Sequence, residues 1–453
     1  MDDEPMPMEA SSAKTKKKGK KKNKNKNKAL QPPKPSVYIP GHGQIDEDEE
    51  LVVDESAYVM LHQATTGDPC LSFEVLRDGL GDNRDKFPLT SYLLGGTQSE
   101  AGHFNYIMLM KMSNLHKTQK EQKDDEEESE EEDEDEDDDD EEEGTSATSK
   151  KPRLDQSLIK HNGCVNRIKH TKINDHIVCA TWSELGVVYI YDVTSHLNIL
   201  DTPDRITEFE TANISLPPLF AFDGHQIEGY ALGWSRHDPG RLLTGDCNKN
   251  IFMWQPTEST WVVDPRPFVG HTASVEDIKW SPKENNVFMT CSVDKSIRVW
   301  DARANPINGC KLVASDAHLR DVNVIDWSEF EPLVISGGDD GLIKIWDLRR
   351  FSSGKEAAVF EHHKGSITSV EWNPHDSSVF AVSGSDDQVT IWDVAVERDE
   401  GAEDQEEPDV PPQLLFMHLG QKDIKEVHWH PQIPGLMFST AQCGFNVFRT
   451  ISV

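Results

Sequence analysis

The side chains that could do chemistry in this chain come round as a set. His271, Thr290, Asp294 and Trp300 are followed by His318, Ser336, Asp340 and Trp346 in the same order. His, hydroxyl and carboxylate are the parts of a nucleophilic triad, and the neighbours His362 with His363 or His428 with His430 suggest metal ligands. Neither reading holds for this pattern. The Trp indole only donates, the carboxylate only accepts, the hydroxyl does both and a neutral imidazole has one of each, so the four can satisfy one another in a buried relay. A buried polar group left unpaired costs about 1 to 3 kcal/mol, so such residues recur together for stability. No Cys or carboxylate completes a ligand pattern around the paired His, and no nucleophile with its base or phosphate-binding loop stands out. The sequence therefore predicts no enzyme, no catalytic residue, no metal and no cofactor.

The elements that position the set repeat with it. Trp254, Trp300, Trp346 and Trp392 are each 46 residues apart, and Trp234, Trp280, Trp327 and Trp372 each fall nine residues after His225, His271, His318 and His363. A fixed period of this length marks a repeat architecture. Within one unit, VEDIKW, VFMTCS and SIRVWD are short, β-rich and separated by turn residues, which reads as a meander of strands. The unit before the two complete ones has His225, Thr244 and Trp254, with Asn248 where the acid is expected. The unit after has His363, Ser383 and Trp392; counting from Ser383 selects Asp387 as its acid, and counting back from Trp392 selects Asp386. Two weaker copies flank these, His161 to Tyr191 with Thr181 and His418 to Phe448.

A unit reading GH, a strand ending KW, a strand with Thr290, a turn with Asp294 and then VWD resembles a WD repeat, one blade of a β-propeller. The resemblance implies an all-β fold with seven blades. Six units are counted, and CLSFEVLRD, FPLTSYLLGG and HFNYIMLMKM supply strands for a seventh, with an acidic loop growing out of it. Closure matters because an open ring exposes strand edges.

Charge bounds the partners. A formal net charge of -35 argues against direct nucleic-acid binding and makes basic proteins the natural complement. Residues 1–49 form a tail, with KTKKKGKKKNKNKNK at 14–28, that cannot bury a core; it reads as a disordered nuclear or nucleolar address. It lacks the interleaved aromatics that stack bases. Residues 121–150 read as a disordered acidic loop, in which every position from Asp124 to Glu143 except Ser129 is Asp or Glu. A second acidic insertion occupies 397–412 within a propeller that runs from 151 to 453. The seven cysteines form no CxxC pair, which suits a reducing compartment, and the absence of long apolar runs predicts a soluble chain with no membrane partner.

Residues 50–120 are expected to hold an N-terminal helix and the first blade strands. LVVDESAYVMLHQATTGDPCLSFEVLRD resembles the N-terminal region of the histone-binding WD-repeat proteins of chromatin-assembly complexes, and the likeness continues through KHNGCVNRIKH and PPQLLFMHLG. Asp54 is suited to cap a helix whose stripe of Ala57, Tyr58, Leu61 and Ala64 docks on the ring. The acidic block and Lys-rich tail are similar to a narrower branch, the glutamate-rich WD-repeat proteins. That resemblance implies a chaperone of large-subunit ribosomal protein number three in ribosome biogenesis, with histone binding as a related activity, in the nucleus, the nucleolus and also the cytoplasm. It further implies a client groove between the helix and the second acidic insertion. Leu51, Val59 and Met60 are expected as its apolar floor, with Glu397, Asp399, Glu400, Glu403, Asp404, Glu406, Glu407 and Asp409 as its acidic rim. An alternative of another class comes from WDAR at Trp300 to Arg303 and WDLR at Trp346 to Arg349, which resemble the WDxR pattern of cullin-ligase substrate receptors; Arg303 and Arg349 would then contact the ligase adaptor.

Overall fold

The structure, a computed structural model, describes residues 13–17, 36–38, 40, 49–99, 103–118, 151–397 and 410–453. Seven four-stranded antiparallel sheets are arranged in sequence as the blades of a propeller. Blades 1 to 6 span residues 70–161, 165–222, 231–263, 275–314, 322–361 and 367–419. Blade 7 takes its three inner strands, Glu426–Trp429, Leu436–Ala441 and Gly444–Thr450, from the end of the chain and its outer strand, Tyr58–Ala64, from near the beginning. The core lies between blades, in separate clusters of side chains from adjacent sheets.

This closing strand is a correction. The sequence predicts a helix over Tyr58–Ala64, yet Asp54 caps only the single 3-10 turn Glu55–Ala57, through a bond from Ser56 N. Local cap signals lose here to ring closure: Gly444–Thr450 would otherwise present an open edge, and the segment pairs along it from Ala64 with Phe445 to Tyr58 with Thr450. A bulge at Val59 puts Tyr58 and Leu61 toward the cluster shared with blade 6, and Met60 and Ala64 toward the one shared with blade 1. In the expected tail, the backbone of Ala13–Lys17 pairs with Glu49–Val53. Most of 1–49 and all of 121–150 lie outside the described residues.

The innermost strand of each blade has one edge toward the channel, where its N–H groups need acceptors. Carboxylates from the neighbouring blade supply them. Glu74 accepts from His170 N at 2.8 Å, Asp326 from Trp372 N at 2.9 Å, Glu371 from Trp429 N at 3.2 Å and Glu426 from Phe73 N at 2.8 Å, so the last contact joins blade 7 to blade 1. Blade 1 has another cover. Between the third and outer strands of blade 2 the chain forms the helices Thr194–Asn198 and Ile206–Asn213, and Glu210 and Ile214 O accept from Leu158 N and Lys160 N on blade 1's outer strand.

Candidate client-docking face

The recurrent polar set forms relays inside the blades. In blade 4, Trp300 Nε1 donates to Thr290 Oγ1 at 2.8 Å, which faces His271 Nε2 at 2.6 Å, while His271 Nδ1 meets Asp294 at 2.9 Å. Because the indole can only donate, the hydroxyl proton goes to Nε2 and the imidazole proton sits on Nδ1, facing the acid. Blade 5 repeats this with Trp346, Ser336, His318 and Asp340.

Two positions need correction. In blade 3, His225 and Trp254 meet Thr244 as expected, but the acid is Asp246, 2.8 Å from His225 Nδ1 and fully buried; Asn248 is exposed and only donates its backbone N–H to Asp246. One carboxylate that can both meet the imidazole and cap the turn at Asn248 N and Asn250 N leaves the later position free. In blade 6 the hydroxyl is Thr390, bonded to Trp392 Nε1 at 2.8 Å and His363 Nε2 at 2.9 Å, while Ser383 pairs with Thr368. Thr390 lies opposite Val382 in the ladder, so the hydroxyl has moved across the strand pair. Asp386 meets His363 Nδ1 at 2.9 Å, and Asp387 holds the positive-φ turn position occupied by Lys249, Lys295 and Gly341 in the blades before.

The outer side of blades 6 and 7 is different in kind. Val53, Ala57, Leu61, Leu415 and Phe416 are half-buried and pack on one cluster, leaving an apolar band beside the closing strand. Tyr58 anchors it from beneath: its ring meets Phe416 at 5.3 Å, and its hydroxyl lies 2.8 Å from His418 Nδ1. Asn446 Nδ2 donates to His418 Nε2 at 3.0 Å, and Phe448 stacks on the imidazole at 4.1 Å. Of the expected floor, Leu51 and Val59 are half-buried and Met60 is fully buried, because strand periodicity replaces the helical one. Glu397 is exposed where the acidic insertion leaves blade 6; Asp399, Glu400, Glu403, Asp404, Glu406, Glu407 and Asp409 lie outside the described residues. The chain resumes at Val410, Pro411 and Pro412, all half-buried, next to this band.

Arg303 and Arg349 occupy matching places on blades 4 and 5. Each guanidinium grips the Asp two residues before it, Asp301 or Asp347, and the Arg side chains are 70% and 71% exposed. The channel mouth near Lys169, Lys279 and His428 encloses about 580 Å³, and these cations have partners in Glu74, Asp326 and Glu371. Burial opposes a charge on His428, but Glu371 and Glu426 outweigh it and push its pKa up to about 9. Sequence reasoning missed this ring of pairs, whose signal was a charged residue just before the first Trp of several units. Among the described residues no group of three His, Cys, Asp or Glu is placed to hold a metal.

Residues 48–116 match the family model for the histone-binding protein RBBP4 and its counterpart in the CAF1 complex, and 265–301, 310–347 and 354–393 match the WD domain, G-beta repeat. The chain is 44% identical to Protein HEAT STRESS TOLERANT DWD 1 of Arabidopsis thaliana, over 92% of both chains. It is 44% identical to Glutamate-rich WD repeat-containing protein 1 of Dictyostelium discoideum, over 91% of this chain and 84% of the other. It is 37% identical to Ribosome assembly protein rrb1 of Schizosaccharomyces pombe, over 92% of this chain and 84% of the other.

Proposed function

We propose, for a chain that belongs to the glutamate-rich WD-repeat family, that it is a non-enzymatic chaperone that escorts strongly basic clients. The leading client is large-subunit ribosomal protein number three during ribosome assembly, with histones as related clients and the nucleus, nucleolus and cytoplasm as the places of work. The observation that carries this reading is the half-buried apolar band on blades 6 and 7, flanked by an insertion of eight carboxylates at 397–409. A basic amphipathic helix fits such a face, with buried area providing affinity and charge providing steering and orientation. The site is now read as Val53, Ala57, Leu61, Leu415 and Phe416 beneath, with Leu51 and Val59 at the margin and the acids of 397–409 as the rim.

Reversing Glu397, Asp399, Glu400, Glu403, Asp404, Glu406, Glu407 and Asp409 to Lys, with 124–143 intact, is expected to abolish client binding while the melting transition is kept. Retained binding would move the client elsewhere on the ring. The second reading is favoured by the matching exposure of Arg303 and Arg349 on adjacent blades. If they dock a cullin-ligase adaptor, adaptor pulldown is lost in Arg303→Ala with Arg349→Ala; equal capture ends that reading.

A further inference from the structure

The other flank of the closing strand carries a second groove. It lies between blades 7 and 1, encloses about 220 Å³, and is floored by Met112, Leu115 and Val447, each at most 2% exposed. Half-buried Ala64 and Leu154 form apolar walls, while exposed Gln63 and Thr65 stand at the mouth. This is space for one aliphatic or aromatic side chain.

What surrounds the groove identifies the kind of side chain that enters it. The chain leaving Leu115 is tied to the free edge of the closing strand: Thr118 N donates to Val59 O at 3.1 Å, Leu61 N donates to Thr118 Oγ1 at 2.7 Å, and His62 Nε2 donates to His116 O at 2.8 Å. Asn114 Nδ2 donates to Lys151 O at 2.6 Å, holding the return of the chain beside its departure. Between these two ends runs the block from Asp124 to Glu143, with Ser129 its only uncharged member. Its first carboxylate is six residues from Thr118, within about 20 Å at full extension. An apolar groove at the root of so many carboxylates is complementary to an apolar side chain set among Lys and Arg.

We propose that this groove seats a single apolar anchor of a Lys- and Arg-rich client segment, as a contact separate from the blade 6 and 7 face. The proposal rests on the chaperone reading above and adds a selectivity to it: the protein distinguishes basic segments that carry an anchor from those that carry charge alone.

The test uses the full chain and two synthetic 14-residue Lys/Arg peptides that differ by one central residue, Leu or Ser. The Leu peptide is expected to bind about tenfold tighter, the low end of what burying one such side chain provides. Thr65→Trp, which fills the mouth from an exposed position, and Leu154→Lys, which places a like charge in the wall, are each expected to remove that ratio and leave the Ser peptide's affinity unchanged, with melting curves confirming the fold. Deleting 124–143 is expected to weaken both peptides and keep the ratio. Equal binding of the two peptides by the native chain overturns the proposal, as does a ratio that survives both Thr65→Trp and Leu154→Lys. A ratio that emerges only after residues 14–28 are deleted also overturns it, because the chain's own tail then fills the groove. The loop reversal at 397–409 separates the two ideas: it tests the chaperone face and is expected to leave the Leu to Ser ratio intact.

Discussion

Blades 3 to 6 and blade 7 solve the same problem of joining a buried imidazole to its surroundings, and they solve it with opposite kinds of sequence information. In blades 3 to 6 the relay is internal to one repeat unit: His, hydroxyl, acid and Trp lie within about one period, and the acid faces the imidazole proton. In blade 7, His418 is held by Tyr58, 360 residues away in the chain, and by Asn446, with no carboxylate bonded to it among the described residues. Repeat blades are therefore held by local order, while the closing blade is held by the meeting of distant segments. The half-buried apolar band stands on the second kind of structure, so events that loosen ring closure should reach the client face first.

Acid is expected to separate the two regions most. Burial pulls the pKa of His418 down to about 3, and that of His225 and His271 down as well, although Asp246 and Asp294 pull the latter two back up. A His whose folded pKa is depressed contributes stability that is complete above its unfolded value near 6.5 and is lost as pH falls toward the folded value. With no acid to share the proton, His418 is the more penalised. Amide exchange followed from pH 7 to pH 4 is expected to show Tyr58–Ala64 and Gly444–Thr450 losing protection before the strands of blades 4 and 5. Simultaneous loss would erase the distinction between local and distant closure.

Within the repeat blades, Asp340→Ala should give the largest loss from a single side chain. Its carboxylate takes His318 Nδ1–H, Leu319 N–H at 2.8 Å and Leu342 N–H at 3.2 Å, and Ala leaves three donors without it. The expected cost is about 3 kcal/mol by chemical denaturation, several orphaned groups being partly rescued by water. A melt indistinguishable from the native chain would mean that the relay does not hold the blade.

Blade 6 tests how the relay is built. Thr390→Val keeps the shape and removes the oxygen that serves both Trp392 and His363, an expected loss of about 2 kcal/mol, whereas Ser383→Ala breaks only the bond to Thr368 and should cost less than about 1 kcal/mol. The reverse ranking would restore the assignment made from sequence. That assignment failed for a definable reason. The strict 46-residue period runs Thr244, Thr290, Ser336 and then Val382, which has no hydroxyl, and the nearest candidate, Ser383, lies on the opposite face of the strand. The same period runs Asp294, Asp340 and Asp386, so the acid was recoverable from spacing, while the hydroxyl needed the cross-strand partner of Val382. The seven-bladed ring was legible because indole and imidazole recur in phase. The closing strand was not, because Asp54 is a genuine cap signal and nothing local reveals that Gly444–Thr450 needs a partner.

The smallest expected effect is the most informative about the client face. Tyr58→Phe removes one hydroxyl and keeps the ring that meets Phe416 and Phe448. Because Asn446 donates to Nε2, His418 carries its proton on Nδ1 and gives it to the Tyr58 oxygen; without that oxygen the donor is buried and unmet, for a cost of about 1 kcal/mol. Global stability should barely move. The closing strand, however, is held at this end by Tyr58 paired with Thr450 beyond the bulge, so a small local cost falls where strand pairing is already irregular. Amide exchange at Leu61 and Val447 is expected to quicken several-fold while the strands of blade 4 stay unchanged, and affinity for a basic client is expected to drop by more than the melting temperature implies. If exchange quickens equally in blade 4, the closing blade is no weaker a joint than the rest. If exchange quickens locally but client affinity holds, the apolar band on blades 6 and 7 does not carry the client, and the acidic segments act without it.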